Sequence, residues 1–180
     1  MNPRDLLRLI DSFHICEADW NLYQQLFMNG PARANTLNSL SGPLFAAIHL
    51  CLIEITFVRI SKLTDGRKTG KNLNLTLDAL REENKHGFGM EEKYKEIIES
   101  AAVEKIRSYR NKIIAHSDLA TAQAPDPSTE LGSVIHNNVT MALDYIRAFL
   151  YEYCNEVGQS IPPPRPVPNI DEFLAKFNCA

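Results

Sequence analysis

Seven apolar positions recur three or four residues apart along one stretch of this chain: Ile135, Val139, Ala142, Ile146, Phe149, Tyr153 and Val157. That spacing follows the 3.6-residue turn of an α-helix, not the two-residue alternation of a strand. A stripe of this length commits a helix starting near Thr129 or Glu130 to a face buried against other helices. Helical periodicity dominates the rest of the 180 residues, and no convincing run alternates apolar and polar side chains. A first helix is expected over residues 4–28, with Leu6, Ile10 and Phe13 starting its inner stripe, before "NGPARAN" breaks the chain. Ser41 can cap a second helix over 42–63, with Pro43 in its first turn and an inner stripe of Leu44, Ile48, Cys51, Ile55 and Val58. A short third helix fits 75–85, and a fourth runs from about Glu91 to His116. "IPPPRPVP" cannot be helical and reads as a polyproline arm, after which "NIDEFLAKF" can add a small helix. The expected fold is all-α, a bundle of four to five main helices. A helical domain covers 1–160, and a Pro-rich arm with a short helix covers 161–180.

Charge and cysteine usage narrow the function classes. A net charge of −3 gives no global basic field, so any nucleic-acid contact must come from a local patch or from two subunits combined. Cys16, Cys51, Cys154 and Cys179 form no Cys-x-x-Cys pair, which argues against a zinc site and fits reduced thiols in a cytoplasm. "MNPRDLLRLID" carries charges where a signal peptide needs an apolar run. The most apolar run, "PLFAAIHLCLIEITFV", has 16 residues and includes His49 and Glu54, so it reads as too short and too polar to span a bilayer. A soluble, cytoplasmic protein without membrane contact is expected. Glu54 is costly to bury unpaired and is expected to pair with an arginine, or else to flank a cleft, while His49 reads as a satisfied helix residue. Arg59, Lys62 and Asp65 read as a solvated helix end. "GRKTGKN", residues 66–72, fails as a phosphate-binding P-loop: the glycines are too close and no strand precedes it. Its cations Arg67, Lys68 and Lys71 could still touch RNA backbone, although a solvated loop explains them as well.

The stretch "YRNKIIAHSD", residues 109–118, concentrates the chemistry. Ala102, Ile106, Tyr109, Ile113 and His116 share one helical stripe. On an ideal helix Arg110 and His116 each lie about 60° from Ile113, on one face and roughly 9 Å apart along the axis. Arginine is a planar, long-reaching donor, and histidine exchanges protons near neutral pH. The bare spacing of an Arg and a His four to six residues further on is weak. Chance alone supplies such a match, and this chain has three: Arg8 with His14, Arg81 with His86, and Arg110 with His116. Only the third has a polar residue directly after Arg, an apolar interior, and a place at the end of a long amphipathic helix.

"RNKIIAH" resembles the R-x(4–6)-H motif of HEPN domains. The wider pattern, "FVRISKLTDGRKTGKNLNLTLDALRE" followed by "EKIRSYRNKIIAHSDL", resembles the AbiU-type branch of that superfamily, linked to abortive infection by phage. The similarity covers roughly residues 10–157. It implies a HEPN-like helical bundle that pairs as a homodimer, and a metal-independent endoribonuclease with no cofactor. Arg110 and His116 would match the motif's named positions and Asn111 its polar position, with Lys112 adding charge to a cleft shared by two protomers. RNA would be the substrate, and an antitoxin or defence partner would fit a toxin-like or antiphage role. A non-catalytic HEPN dimer that binds a nucleotide or a partner stands as the alternative, since many HEPN domains keep the fold as scaffolds. Some HEPN toxins carry a tyrosine two places after the His, where this chain has Asp118. From the residues alone, His116 could equally cap the last carbonyls of its helix.

Overall fold

The computed structural model describes residues 2–83, 89–111 and 127–178, with the backbone alone over 127–135. The fold is all-α, as the periodicity predicts. Helices are α1 (Pro3–Phe27), α2 (Gly30–Thr64), α3 (Leu77–Glu83), α4 (Met90–Glu99), α5 (Ala101–Tyr109), α6 (Pro127–Glu156) and α7 (Ile170–Asn178). An antiparallel hairpin of β1 (Lys68–Thr69) and β2 (Asn72–Leu73) lies between α2 and α3. Gly70 turns this hairpin at φ +60°, a conformation that residues with a Cβ rarely adopt.

Two expectations about helix ends are corrected. "NGPARAN" breaks the chain only briefly, because α2 resumes at Gly30. Ser41 is the non-helical residue inside α2, at φ −172° and ψ 91°, so the helix is kinked there and Pro43 follows in the first turn beyond the kink. Proline is tolerated at that point because its missing N–H would have no intrahelical partner. The single helix expected over 91–116 is two helices. Ser100 is extended, at φ −63° and ψ 134°, and its Oγ accepts from the Val103 N–H at 3.2 Å, which caps α5. Residues 112–126, including the expected end of that helix, lie outside the described residues.

The chain divides into two compact units. One comprises residues 1–13 and 57–162; within it α6 packs against α4 and α5, and α3 against α4. The stripe predicted on α6 is buried at Val139, Ala142, Ile146, Phe149 and Tyr153, whereas Val157 is exposed. The other unit comprises residues 14–56 and 163–180. Its core joins Leu26, Leu37, Ile170 and Leu174, with Leu22, Phe27, Phe45, Ile48 and Leu52 packed around them. Gln25 Oε1 accepts from the Ile170 N–H at 3.2 Å, and Arg33 pairs with Asp171, so α7 is pinned at its first turn. Tyr23 Oη and His49 Nε2 share a hydrogen bond at 3.2 Å, which satisfies the histidine as expected. Glu54 is exposed and needs no partner to offset burial, contrary to expectation.

The face of α2 was misassigned by its sequence pattern. Ile53, Thr56, Phe57 and Ile60 are buried, while Leu44 is 55% exposed, Ile55 38% exposed, and Cys51 exposed. The segment is apolar nearly all round, so periodicity cannot choose which side faces inward.

In the first unit, Asp78 organises the corner between the hairpin and α3. Its Oδ2 accepts from the Arg67 N–H at 2.8 Å, and its Oδ1 accepts from Arg81 Nε at 2.9 Å and Nη2 at 2.6 Å. Burial pushes its pKa up, but the Arg67 N–H and the Arg81 guanidinium together outweigh that and hold it below the usual carboxylate range. Asp78→Ala is expected to lower the unfolding free energy by about 1–3 kcal/mol in urea titrations. The folded carboxyl titrates below its unfolded value of about 3.9. Its contribution is therefore full above that pH and is lost as pH falls through the folded value. Asp78→Asn should flatten this part of the acid limb, and an unchanged pH profile would contradict the assignment.

Candidate functional site

The motif arginine is placed by a contact that no local pattern announces. Asp65 follows α2 directly, and its N–H donates to Ser61 O at 2.7 Å, which fixes the carboxylate at the C-terminal end of that helix. An acid there opposes the helix dipole, whereas cations suit it. Arg107 supplies one: its Nη2 donates to Thr64 O at 3.1 Å and to Asp65 Oδ1 at 3.2 Å. Arg110 Nη2 donates to the same Oδ1 at 3.2 Å. The two arginines stand three residues apart on α5 and its continuation, so they present to one side. Arg110 keeps helical angles, φ −54° and ψ −45°, and its N–H reaches Ile106 O and Arg107 O. Tyr109 meets Phe57 edge-to-face at 5.0 Å, which anchors the last turn before the motif.

An open cleft of about 570 Å³ lies over this trio, lined by Asp65, Arg107, Arg110, Glu104, Ser108 and Asn111. The arginine side chains are 28% and 27% exposed and Asp65 is 30% exposed, so each reaches solvent while sitting in a partly desolvated wall. Two guanidinium cations against two carboxylates leave the lining neutral. The cleft thus offers positioned donors rather than a positive field. Arg110 Nε is buried and has no hydrogen-bond partner among the described residues. A buried donor left unmade costs about 1–3 kcal/mol, and such groups persist mainly where something else completes them. Arg107, Arg110, Ser108 and Asn111 can together donate to the oxygens of a phosphate or another oxyanion.

The expected site residues are partly gathered here. Arg110 and Asn111 line the cleft. His116 and Lys112 lie outside the described residues. Arg67, Lys68 and Lys71 do not line the cleft; Arg67 pairs with Glu82 at 2.8 Å and Glu83 at 3.8 Å, and both lysines are exposed on the hairpin. Sequence reasoning missed Arg107 and placed Asp65 in a solvated helix end. Arg107 was findable, since "RSYR" puts two arginines on one helical side. Asp65 was not, because its partners lie 42 and 45 residues away. Among the described residues, no group of three or more His, Cys, Asp or Glu could hold a metal ion.

A family model described as AbiU2, within HEPN, matches residues 6–176. No curated protein and no solved structure matches the chain.

The shared carboxylate yields a stability test. Asp65→Ala should lower the unfolding free energy by about 1–3 kcal/mol, because two part-buried guanidiniums lose their common acceptor. Asp65→Asn retains an acceptor oxygen and should cost less. Equal urea midpoints for the wild type and Asp65→Ala would show that the pairing contributes nothing.

Proposed function

The chain belongs to the AbiU2 family of HEPN proteins, and from that premise we propose that it is a metal-independent endoribonuclease, acting in the cytoplasm as a homodimer in an antiphage or toxin-like role. The observation that carries this reading is Arg110: anchored to Asp65, three-quarters buried, and holding a buried Nε donor with no partner among the described residues at the wall of an open cleft.

RNA brings its own nucleophile. His116 takes the proton from a 2′-hydroxyl as the oxygen attacks the adjacent phosphorus, and a proton returns to the departing 5′-oxygen. Arg110 donates to the phosphoryl oxygens as charge builds on them, and Arg107 adds a second set of donors beside it. Asn111 orients the phosphate or the imidazole, and Lys112 adds charge. The products are a 2′,3′-cyclic phosphate and a 5′-hydroxyl, and DNA is inert because it lacks the nucleophile. The neutral lining of one protomer supports a cleft completed by a second copy, whose motif adds another Arg and His. The exposed Lys68 and Lys71 fit a role at the edge, against RNA backbone.

His116→Ala and Arg110→Ala should each reduce RNA cleavage by about 10²- to 10⁴-fold while keeping helical content. His86→Ala, from a decoy Arg–His spacing, should retain activity. Gel assays of cleavage, with analysis of product ends, read the outcome. Full activity in folded His116→Ala rules out this mechanism. Wild-type protein that binds RNA without cutting it would favour the scaffold reading.

A further inference from the structure

A second cavity lies in the unit formed by residues 14–56 and 163–180. It measures about 410 Å³ and is lined by Asn21, Gln24, Gln25, Met28, Asn29 and Val167. None of these residues lines the arginine cleft. Asn21, Gln24, Gln25 and Met28 follow helical spacing, and the Met28 N–H still donates to Gln24 O at 3.0 Å just beyond α1, so they present to one side. Val167 comes from the Pro-rich arm that leads into α7. Four carboxamides thus gather with two apolar side chains, and among the described residues no Lys, Arg, Asp or Glu joins them.

Two of the carboxamides are partly spent on the fold. Gln25 Oε1 accepts from the Ile170 N–H at 3.2 Å, and Asn29 Nδ2 donates to Gln25 O at 3.1 Å. Asn21 and Gln24 make no side-chain hydrogen bond among the described residues. Each keeps an N–H donor beside a C=O acceptor.

We propose that this cavity takes an adenine base, with Asn21 and Gln24 on its edges and Met28 and Val167 against its faces. The proposal stands apart from catalysis at Arg110. The lining selects a neutral ligand, because a phosphate would find no cation there for a charge-assisted bond. The two unspent carboxamides then select among neutral groups. A carboxamide pairs bidentately with the adenine N6 amino donor and the N7 acceptor beside it. The same amino group has a second hydrogen, flanked on its other side by the N1 acceptor. Adenine alone among the four RNA bases sets a two-hydrogen amino group between two acceptors, so two carboxamides can pair with it at once. Side chains three residues apart on a helix stand about 5–6 Å apart at Cβ, close enough to serve one base. A thioether is polarizable and suits contact with a flat ring. The volume lies within the range of about 300–1,000 Å³ usual for small-ligand sites.

The test uses the full chain and reads binding, not cleavage. Adenosine, cytidine and guanosine are titrated while ¹H–¹⁵N NMR follows the side-chain amide signals of Asn21 and Gln24. Adenosine should move both signals to saturation and bind about 10-fold or more tightly than the other two. Adenosine monophosphate should match adenosine within about threefold, with little dependence on salt, because no phosphate is engaged. Asn21→Ala with Gln24→Ala should weaken adenosine about 10-fold or more at unchanged helical content. Gln24→Glu should weaken it too, since the shape stays but the donor to the ring nitrogen is lost. Oligomers carrying 2′-O-methyl groups separate the two sources of the base. Oligoadenylate binding more tightly than oligouridylate, with the difference lost in the double variant, assigns the site to RNA. Equal binding of the two oligomers beside selective binding of adenosine assigns it to a free nucleoside. Adenosine that leaves both amide signals unmoved at millimolar concentration, or binds no better than cytidine, would overturn the site whatever the cleavage assays show.

Discussion

A single carboxylate ties the end of one helix to the helix that carries the motif arginine. Asp65 closes α2, and its Oδ1 receives both Arg107 and Arg110 at 3.2 Å. Without that acceptor, two guanidiniums would face each other at the cleft wall and repel. With it, both planar groups are held in place before any ligand arrives, which is the condition for donors to favour a transition state over a ground state. The same contact satisfies the last carbonyl region of α2 through Arg107, so the local stability of the helix end and the orientation of the site share one cause.

The pairing also leaves work undone. Arg110 spends one Nη2 donor on Asp65, while its buried Nε has no partner among the described residues. A phosphoryl oxygen entering the cleft would convert that cost into binding. The neutral lining means that an anion drawn to this cleft would be held by such positioned donors and not by a long-range field.

What was legible in the sequence follows from how local its cause is. The α6 stripe was readable because polar residues fill the opposite side, so periodicity alone fixes the buried face. Ser41 and Pro43 announced the start of the second segment of α2 through capping chemistry. The α2 face was misread because its segment is apolar on every side, and only packing decides which side is buried. The break at Ser100 was invisible because serine neither forbids nor demands a helix; it becomes a cap only when its side chain accepts the Val103 N–H. The hairpin at 68–73 rests on strands of two residues each, too short for alternation to register. Arg110 and Asn111 were singled out by the spacing of one motif, and both line the cleft. Asp65 required the fold, because it meets Arg107 and Arg110 only through space.

The central claim is that Arg110 is a phosphate-binding donor held ready by Asp65, and its own Nε–H signal reports this most directly. The measurement is a ¹H–¹⁵N NMR titration of the arginine side chains with an RNA carrying 2′-O-methyl groups, which can bind but cannot attack. The account predicts a downfield shift of the Arg110 Nε–H that saturates with RNA, accompanied by Arg107, and lost in Asp65→Ala. An Arg110 Nε–H that stays unmoved while RNA binds elsewhere on the protein would contradict it.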